Sequence, residues 1–259
     1  MVWAVGIEPG WVVTRETRVP IARWPAELGP LRIAALADLH TGSPHITVAK
    51  VREIVASVNA AQPDLIVLLG DYVIHGVAGG RFVSIEETAA ALRDLRAPLG
   101  VFAVLGNHDW WYDGARCTRA LEAAGIRVLE DAAAEVTVGG RPLWIAGVGE
   151  LRPPPASIAR ALAPVPESAP VILLTHNPDL FVRVPARVLL TLAGHTHGGQ
   201  VNLPVLGRLI VPSHHGDRYA IGHVHEEGRD LFVSPGIGTS IIPLRFRVPP
   251  EISLVTVGP

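Results

Sequence analysis

The chain has a single cysteine, Cys117, and a single lysine, Lys50, among 259 residues. A lone cysteine excludes an internal disulfide and leaves the redox compartment unmarked. Cys117 reads as a small, semi-buried residue on a helix. With lysine nearly absent, almost all positive charge is arginine, and the formal net charge is only -2. So balanced a chain has no sequence-wide basic field to recruit nucleic acid. No apolar run approaches the ~20 residues that a membrane-spanning helix needs. At the N-terminus Glu8, Pro9 and Gly10 interrupt the apolar residues, and no basic stretch precedes them, so the start does not read as a signal peptide. Neither an internal repeat nor a low-complexity linker divides the chain, and its length suits one domain over residues 1–259.

What the chain does have is apolar runs that end in polar motifs. Residues 31–37, 65–69 and 101–105 read as buried strands, with helices expected over 47–60, 84–95 and 115–124. Ser84 is a good N-cap, and Gly125 a good stop. Beyond this the texture changes. Val136–Val138 and Leu143–Val148 flank Gly139-Gly140 as an expected hairpin. Pro153-Pro154-Pro155 reads as a surface loop before a short helix near 156–162. Residues 171–174 and 188–192 are further strands, and residues 200–256 read as short strands and turns. Alternating strands and helices followed by strands predict an α/β layered sandwich.

Five motifs follow these runs: Asp38-Leu39-His40, Gly70-Asp71, Gly106-Asn107-His108-Asp109, Thr175-His176-Asn177 and Gly194-His195-Thr196-His197. Each falls at the carboxyl end of its strand, where open α/β sheets place ligands, so the motifs are expected to converge. Their carboxylate, imidazole and amide groups suit two borderline divalent metals held side by side. Side chains at i and i+2 share a face of a strand, which pairs Asp38 with His40 and His195 with His197. Asp71 ends an apolar strand, where an unneutralised carboxylate is costly, and its two oxygens suit it to bridge the metals. Asp38, His40, Asp71 and His197 then form one site, and Asp71, Asn107, His176 and His195 the other. His108, beside a ligand, is expected to point into the substrate space. There it suits proton donation to a leaving alkoxide or a hydrogen bond to a phosphoryl oxygen. Taken singly, each motif has a plainer explanation as a cap, turn or loop; all five in this order do not.

These motifs resemble those of the calcineurin-like metallophosphoesterase superfamily: D-x-H, GD, GNH(D/E), a single His after a strand, and GH-x-H. The resemblance implies a four-layer α/β/β/α sandwich and a dinuclear metal centre. It also implies a metal-bridging hydroxide that attacks phosphorus in line, and the seven ligands just named. Gly70-Asp71-Tyr72-Val73, Thr175–Asp179 and Gly194–Gln200 resemble the bacterial YkuE/YaeI-like phosphodiesterase branch. So do Gly236–Ser240, Pro243–Phe246 and Pro250-Glu251-Ile252. Many members of that branch carry an N-terminal membrane or export segment, and the apolar residues at the start of this sequence are not expected to form one. The purple acid phosphatases differ: they place a tyrosine three residues after the bridging aspartate, where this chain has Ile74.

Weaker signals surround the motifs. Trp110 and Trp111 are candidates for lining the substrate cleft, or for anchoring the loop. His214, His215, His223 and His225 read as surface or hairpin histidines, His75 as exposed, and His45 as close to the site entrance. The apolar stretch 203–212 is expected to pack beside the site, with lipid contact as the other possibility. The expected function is hydrolysis of a phosphodiester with two divalent ions (Mn, Fe, Zn or Co). The alternatives are a UDP-2,3-diacylglucosamine-type lipid pyrophosphatase and a non-catalytic metal-binding scaffold of the same fold. The expected partner is a small-molecule or lipid diester, with no nucleic acid and no obligate protein partner. The expected location is cytoplasmic or peripheral to a membrane.

Overall fold

A computed structural model describes residues 2–149 and 156–259. The triple-proline stretch 153–155 therefore lies outside the described residues. The strands are β1 (Val13–Pro20), β2 (Leu31–Leu36), β3 (Leu65–Leu68), β4 (Val101–Ala103), β5 (Arg127–Val128), β6 (Ala132–Val138) and β7 (Arg141–Val148). They continue as β8 (Val171–Thr175), β9 (Leu190–Ala193), β10 (Asn202–Leu203), β11 (Gly207–Arg208), β12 (Gly222–Glu226), β13 (Arg229–Val233) and β14 (Glu251–Gly258). The helices are α1 (Val48–Ala60), α2 (Ile85–Leu92), α3 (Asn107–Ala123) and α4 (Ile158–Leu162).

Two six-stranded sheets, ordered β1-β14-β2-β3-β4-β5 and β12-β13-β9-β8-β7-β6, carry the fold. Strand alternation builds three apolar layers from them. Ile33, Ala35, Leu65 and Val67 face Ile145, Ile172, Leu174 and Leu192 of the second sheet. Their neighbours Ala34, Leu36, Ile66 and Leu68 face the helical side, against Val51, Ile54, Val55 and Val58 of α1. On the far side of the second sheet, Ala146, Leu173 and Ala193 pack with Ala161 of α4, Phe181 and Tyr219. This is the four-layer α/β/β/α arrangement. Each fully buried Val, Leu or Ile contributes about 1.5–3 kcal/mol, so burial on both faces explains why these strands read as unbroken apolar runs.

Helix starts follow their caps. The Thr47 hydroxyl accepts the Lys50 amide, and Ser84 with Glu87 forms a reciprocal capping box at α2. The third helix departs from expectation: α3 opens at Asn107, inside the third motif, and bends at Asp113. Gly106 takes the N-cap position and the Asp109 side chain accepts its amide, so the motif is the helix's first turn rather than a loop before it. Residues 13–20, which the sequence pattern leaves unassigned, form a long strand, and residues 251–258 form another in place of the short strands and turns expected up to residue 256. β14 lies between β1, to which it is parallel, and β2, to which it is antiparallel. No helix among the described residues is long and apolar enough to cross a membrane.

Candidate metal centre

The parallel neighbours β2, β3 and β4 of one sheet, and β8 and β9 of the other, end at the same place. Every motif therefore arrives at one mouth, as expected of carboxyl ends in an α/β sheet. The side chains do not converge through strand alternation, however, because β2 has ended before Asp38. Asp38, His40, Asp71, His195 and His197 all have positive φ, between 41° and 72°. Left-handed backbone is uncommon outside glycine, costs energy, and concentrates at functional sites. Here it turns the side chains inward.

Two groups of atoms meet around Asp71. On one side His40 Nε2 lies 3.2 Å from His197 Nε2, and His197 Nε2 lies 3.6 Å from Asp38 Oδ1. On the other, His176 Nε2 lies 3.1 Å from both Asn107 Oδ1 and His195 Nδ1. Asp71 Oδ2 sits between them, 3.5 Å from His40 Nε2 and 3.4 Å from His176 Nε2. The other Asp71 oxygen accepts the His108 amide at 2.9 Å. The structure thus brings the seven candidate side chains together around Asp71, with Asp38 also grouped with His176, and His108 with His40.

Backbone carbonyls orient the imidazoles. The Val73 carbonyl accepts from His40 Nδ1 at 3.3 Å, and the Leu69 carbonyl from His176 Nδ1 at 2.7 Å. This leaves a lone pair on each Nε2, facing the other nitrogens and the carboxylates. Burial pushes His40 down to about 3 and His195 down to about 4, and holds His197 well below its usual range. Burial alone would raise the Asp71 carboxyl, but His176, His40 and His108 together hold it well below its usual range. Burial, reinforced by the nearby Asp71, pushes Asp38 up to about 7. Neutral nitrogen lone pairs and carboxylate oxygens, buried and facing one another, repel; divalent cations among them turn the same contacts into ligation. The donor set therefore fits two metal ions.

His108 turns toward this cluster rather than wholly away from it, with Nε2 3.9 Å from Asp71 Oδ2. Its Nδ1 is buried without a hydrogen-bond partner among the described residues. The two tryptophans part company. Trp110 donates its indole N–H to Glu130 at 3.2 Å and packs on the helical core layer. Trp111 is 57% exposed and lies 4.8 Å, ring to ring, from His108. His75 is exposed, and the rings of His75 and His108 are 6.0 Å apart. His45 bonds the Val5 carbonyl, while His223 and His225 share one oxygen of Asp230.

Two residues behind the cluster carry no assignment from the sequence. Asp109 is fully buried and accepts the backbone amides of Asp71, Tyr72, Val73 and Gly106. Its signal is its place as the fourth residue of the motif, three after the glycine cap. Arg245 is also fully buried, with its guanidinium on the carbonyls of Pro235, Gly238 and Val248 and 3.5 Å from His197 Nδ1. Glycine is required where the motifs touch. A side chain at Gly106 would strike the Asp71 carboxylate, and one at Gly70 would come within 2.9 Å of His176 Nδ1.

A family model for calcineurin-like phosphoesterases matches residues 31–227, which include all seven of these residues. The chain belongs to the calcineurin-like phosphoesterase family. As a member it is a phosphoesterase, and the family's dinuclear centre agrees with the grouped Asp and His side chains. The chain is 31% identical to phosphodiesterase YaeI of Escherichia coli (strain K12) over 261 residues, covering 96% of this chain and 89% of that one. It is 29% identical to the uncharacterized metallophosphoesterase YkuE of Bacillus subtilis (strain 168), covering 96% and 87% respectively. Among solved structures, the NAD nucleotidase NadN of Haemophilus influenzae matches with a TM-score of 0.52 at 15% identity. That match covers 81% of this chain and 50% of NadN, and it shows a shared fold.

Proposed function

We propose that this phosphoesterase hydrolyses phosphodiesters with two divalent metal ions. In this reading Asp38, His40, Asp71 and His197 hold one ion, Asp71, Asn107, His176 and His195 hold the other, and Asp71 bridges them. The observation that carries it is the buried Asp71 carboxylate, whose Oδ2 lies between the two halves, 3.5 Å from His40 Nε2 and 3.4 Å from His176 Nε2. When bound, such an ion pair neutralises phosphoryl charge and lowers the pKa of water.

The chain's own residues do the rest. Asp71 keeps both halves of the centre in register through its second oxygen and the His108 amide. Burial lowers the His108 pKa, so its imidazole is neutral and suited to donate a hydrogen bond to a non-bridging phosphoryl oxygen. Trp111 forms an exposed aromatic wall beside it. Arg245 lies fully buried behind the centre with its N–H groups on three backbone carbonyls, so it offers no donor to the dianion of a monoester. That favours a singly charged diester, in keeping with the phosphodiesterase name of the YaeI relative.

The test is hydrolysis of bis-p-nitrophenyl phosphate against p-nitrophenyl phosphate. The protein is stripped with chelator, reloaded separately with Mn, Zn, Fe(II) or Mg, and compared with Asp71→Asn and His108→Ala. Metal-restored diester cleavage that both variants lose is the expected result. Metal binding without turnover of either ester would count against the reading, and failure to bind metal would end it.

A further inference from the structure

The fold leaves an apolar rim beside the metal centre. The stretch 203–212 does not pack down as its hydropathy suggests. Its two-residue strands β10 and β11 pair only Asn202 with Arg208 and Leu203 with Gly207, too small a hairpin to bury its own side chains. Val205, Leu206, Leu209 and Ile210 are left in solvent. So are Ile241 and Ile242 on the next loop, and Trp3, Val5 and Ile7 near the N-terminus.

Backbone and side-chain hydrogen bonds tie these segments into one surface. Arg208 Nε donates to the Gly198 carbonyl at 2.8 Å, just after His197. Gln200 accepts the Ser240 amide at 2.7 Å and donates to the Ile242 carbonyl at 3.3 Å. The Ala78 amide bonds the Ile241 carbonyl, and the Arg245 amide bonds the Ala4 carbonyl, both at 2.9 Å.

Two tips show that the exposed side chains are not incidental. Val205 has φ +71° and is 104% exposed; Ile241 has φ +62° and is 72% exposed. For β-branched residues the left-handed region is a true outlier, and asparagine or glycine would sit there more easily. Neither side chain is buried by the fold that bears this strain, so their use lies outside it.

Charge points to the occupant. Stretches 2–7, 76–82, 203–212 and 240–247 contain no aspartate or glutamate, and their arginines are Arg81, Arg208, Arg245 and Arg247. Of these only Arg245 is buried. The carboxylates beside the rim are Glu8, which is buried and accepts the Trp3 indole N–H at 2.6 Å, and Asp217, at the base of the hairpin beside Gly207. Trp3 and Trp11, both exposed, stack edge to face at 5.8 Å. Aliphatic tips, interfacial tryptophans and arginines without acids match an anionic bilayer surface, with its acyl boundary below and its phosphates at the arginine level.

We propose that this rim docks the protein on anionic phospholipid membranes, presenting the metal centre to diesters at the bilayer surface. Docking itself requires no assignment of the reaction and is read without turnover.

The test is cosedimentation of the full chain, without added divalent cation, with vesicles of phosphatidylglycerol and phosphatidylcholine in equal parts, against phosphatidylcholine alone. Binding to the anionic vesicles is expected to be about tenfold tighter or more and to weaken with salt. Val205→Asn with Ile241→Asn should lower it about tenfold, while the melting temperature stays level or rises, because asparagine accepts the left-handed backbone. Val182→Asn, on the outer layer of the second sheet, should bind as the parent does. Absence of binding to both vesicles, or binding that the double variant leaves intact, would overturn the proposal. So would concentration-dependent self-association that the double variant abolishes, which would mark the rim as a contact between two copies.

Discussion

Asp109 holds Asp71 from behind: its Oδ2 accepts the Asp71 backbone amide at 2.8 Å, while the Asp71 side chain faces the opposite way, toward four imidazole-bearing motifs. One carboxylate fixes the backbone so that the other can point into the site. Asp109→Asn keeps the size and replaces one acceptor oxygen by a donor facing backbone N–H groups. It should destabilise the fold by about 1–3 kcal/mol and reduce metal occupancy. Urea denaturation and metal analysis of the purified variant check both, and an unchanged stability would refute the bracing role.

Metal binding should be visible as stability. Ions that bind only the folded state at a hundred times their dissociation constant add about 2.7 kcal/mol per site. Adding Mn to chelated protein is therefore expected to raise the melting temperature, and chelator should reverse the rise. Asp71→Asn, which weakens both halves of the centre, should show little of it. An equal rise in that variant would place the stabilising ion elsewhere.

Arg245→Met removes a buried charge and leaves three carbonyls without their donor. Truncating one member of a buried charged network typically costs about 3–5 kcal/mol. Arg245→Lys should not restore it, since one ammonium cannot reproduce the planar fork. Guanidinium unfolding of the two variants decides; full rescue by lysine would show that charge alone matters.

The neighbouring tryptophans should separate in assay. Trp110→Ala is expected to cost about 2–4 kcal/mol, through lost packing on the helical core layer and the lost bond to Glu130. Trp111→Ala should change stability by no more than about 0.5 kcal/mol but raise KM for a diester with aromatic groups. If Trp111→Ala moves neither KM nor kcat, its ring does not meet substrate.

The ends of β2, β3, β8 and β9 were legible because each is a short apolar run closed by a polar motif. The seven candidate ligands were legible for the same reason. Less legible was how they converge: strand alternation pairs Asp38 with His40 on paper, but left-handed turns beyond the strand do it in the fold. Asp109 was hidden because Gly-Asn-His-Asp reads as a turn until α3 is seen to start there. β1 was hidden by its polar sequence, Val-Thr-Arg-Glu-Thr-Arg-Val-Pro, typical of a half-exposed edge. Its partner β14 was hidden by a surrounding texture of glycine and proline turns.

The place of β14 has a consequence for how the molecule is made. Residues 251–258 fill the gap between β1 and β2, joining parts of the chain more than two hundred positions apart, as in the pairing of Val13 with Glu251. During synthesis, the strands that bear Asp38, Asp71 and Asn107 leave the ribosome long before the strand that covers their open edge. Until then β2 presents unpaired amides and carbonyls to any extended chain nearby. Contacts this distant form slowly, so the nascent protein passes through an interval of sheet-edge adhesiveness. A fragment cut to residues 31–227 would keep every metal-site motif yet remain in that adhesive state.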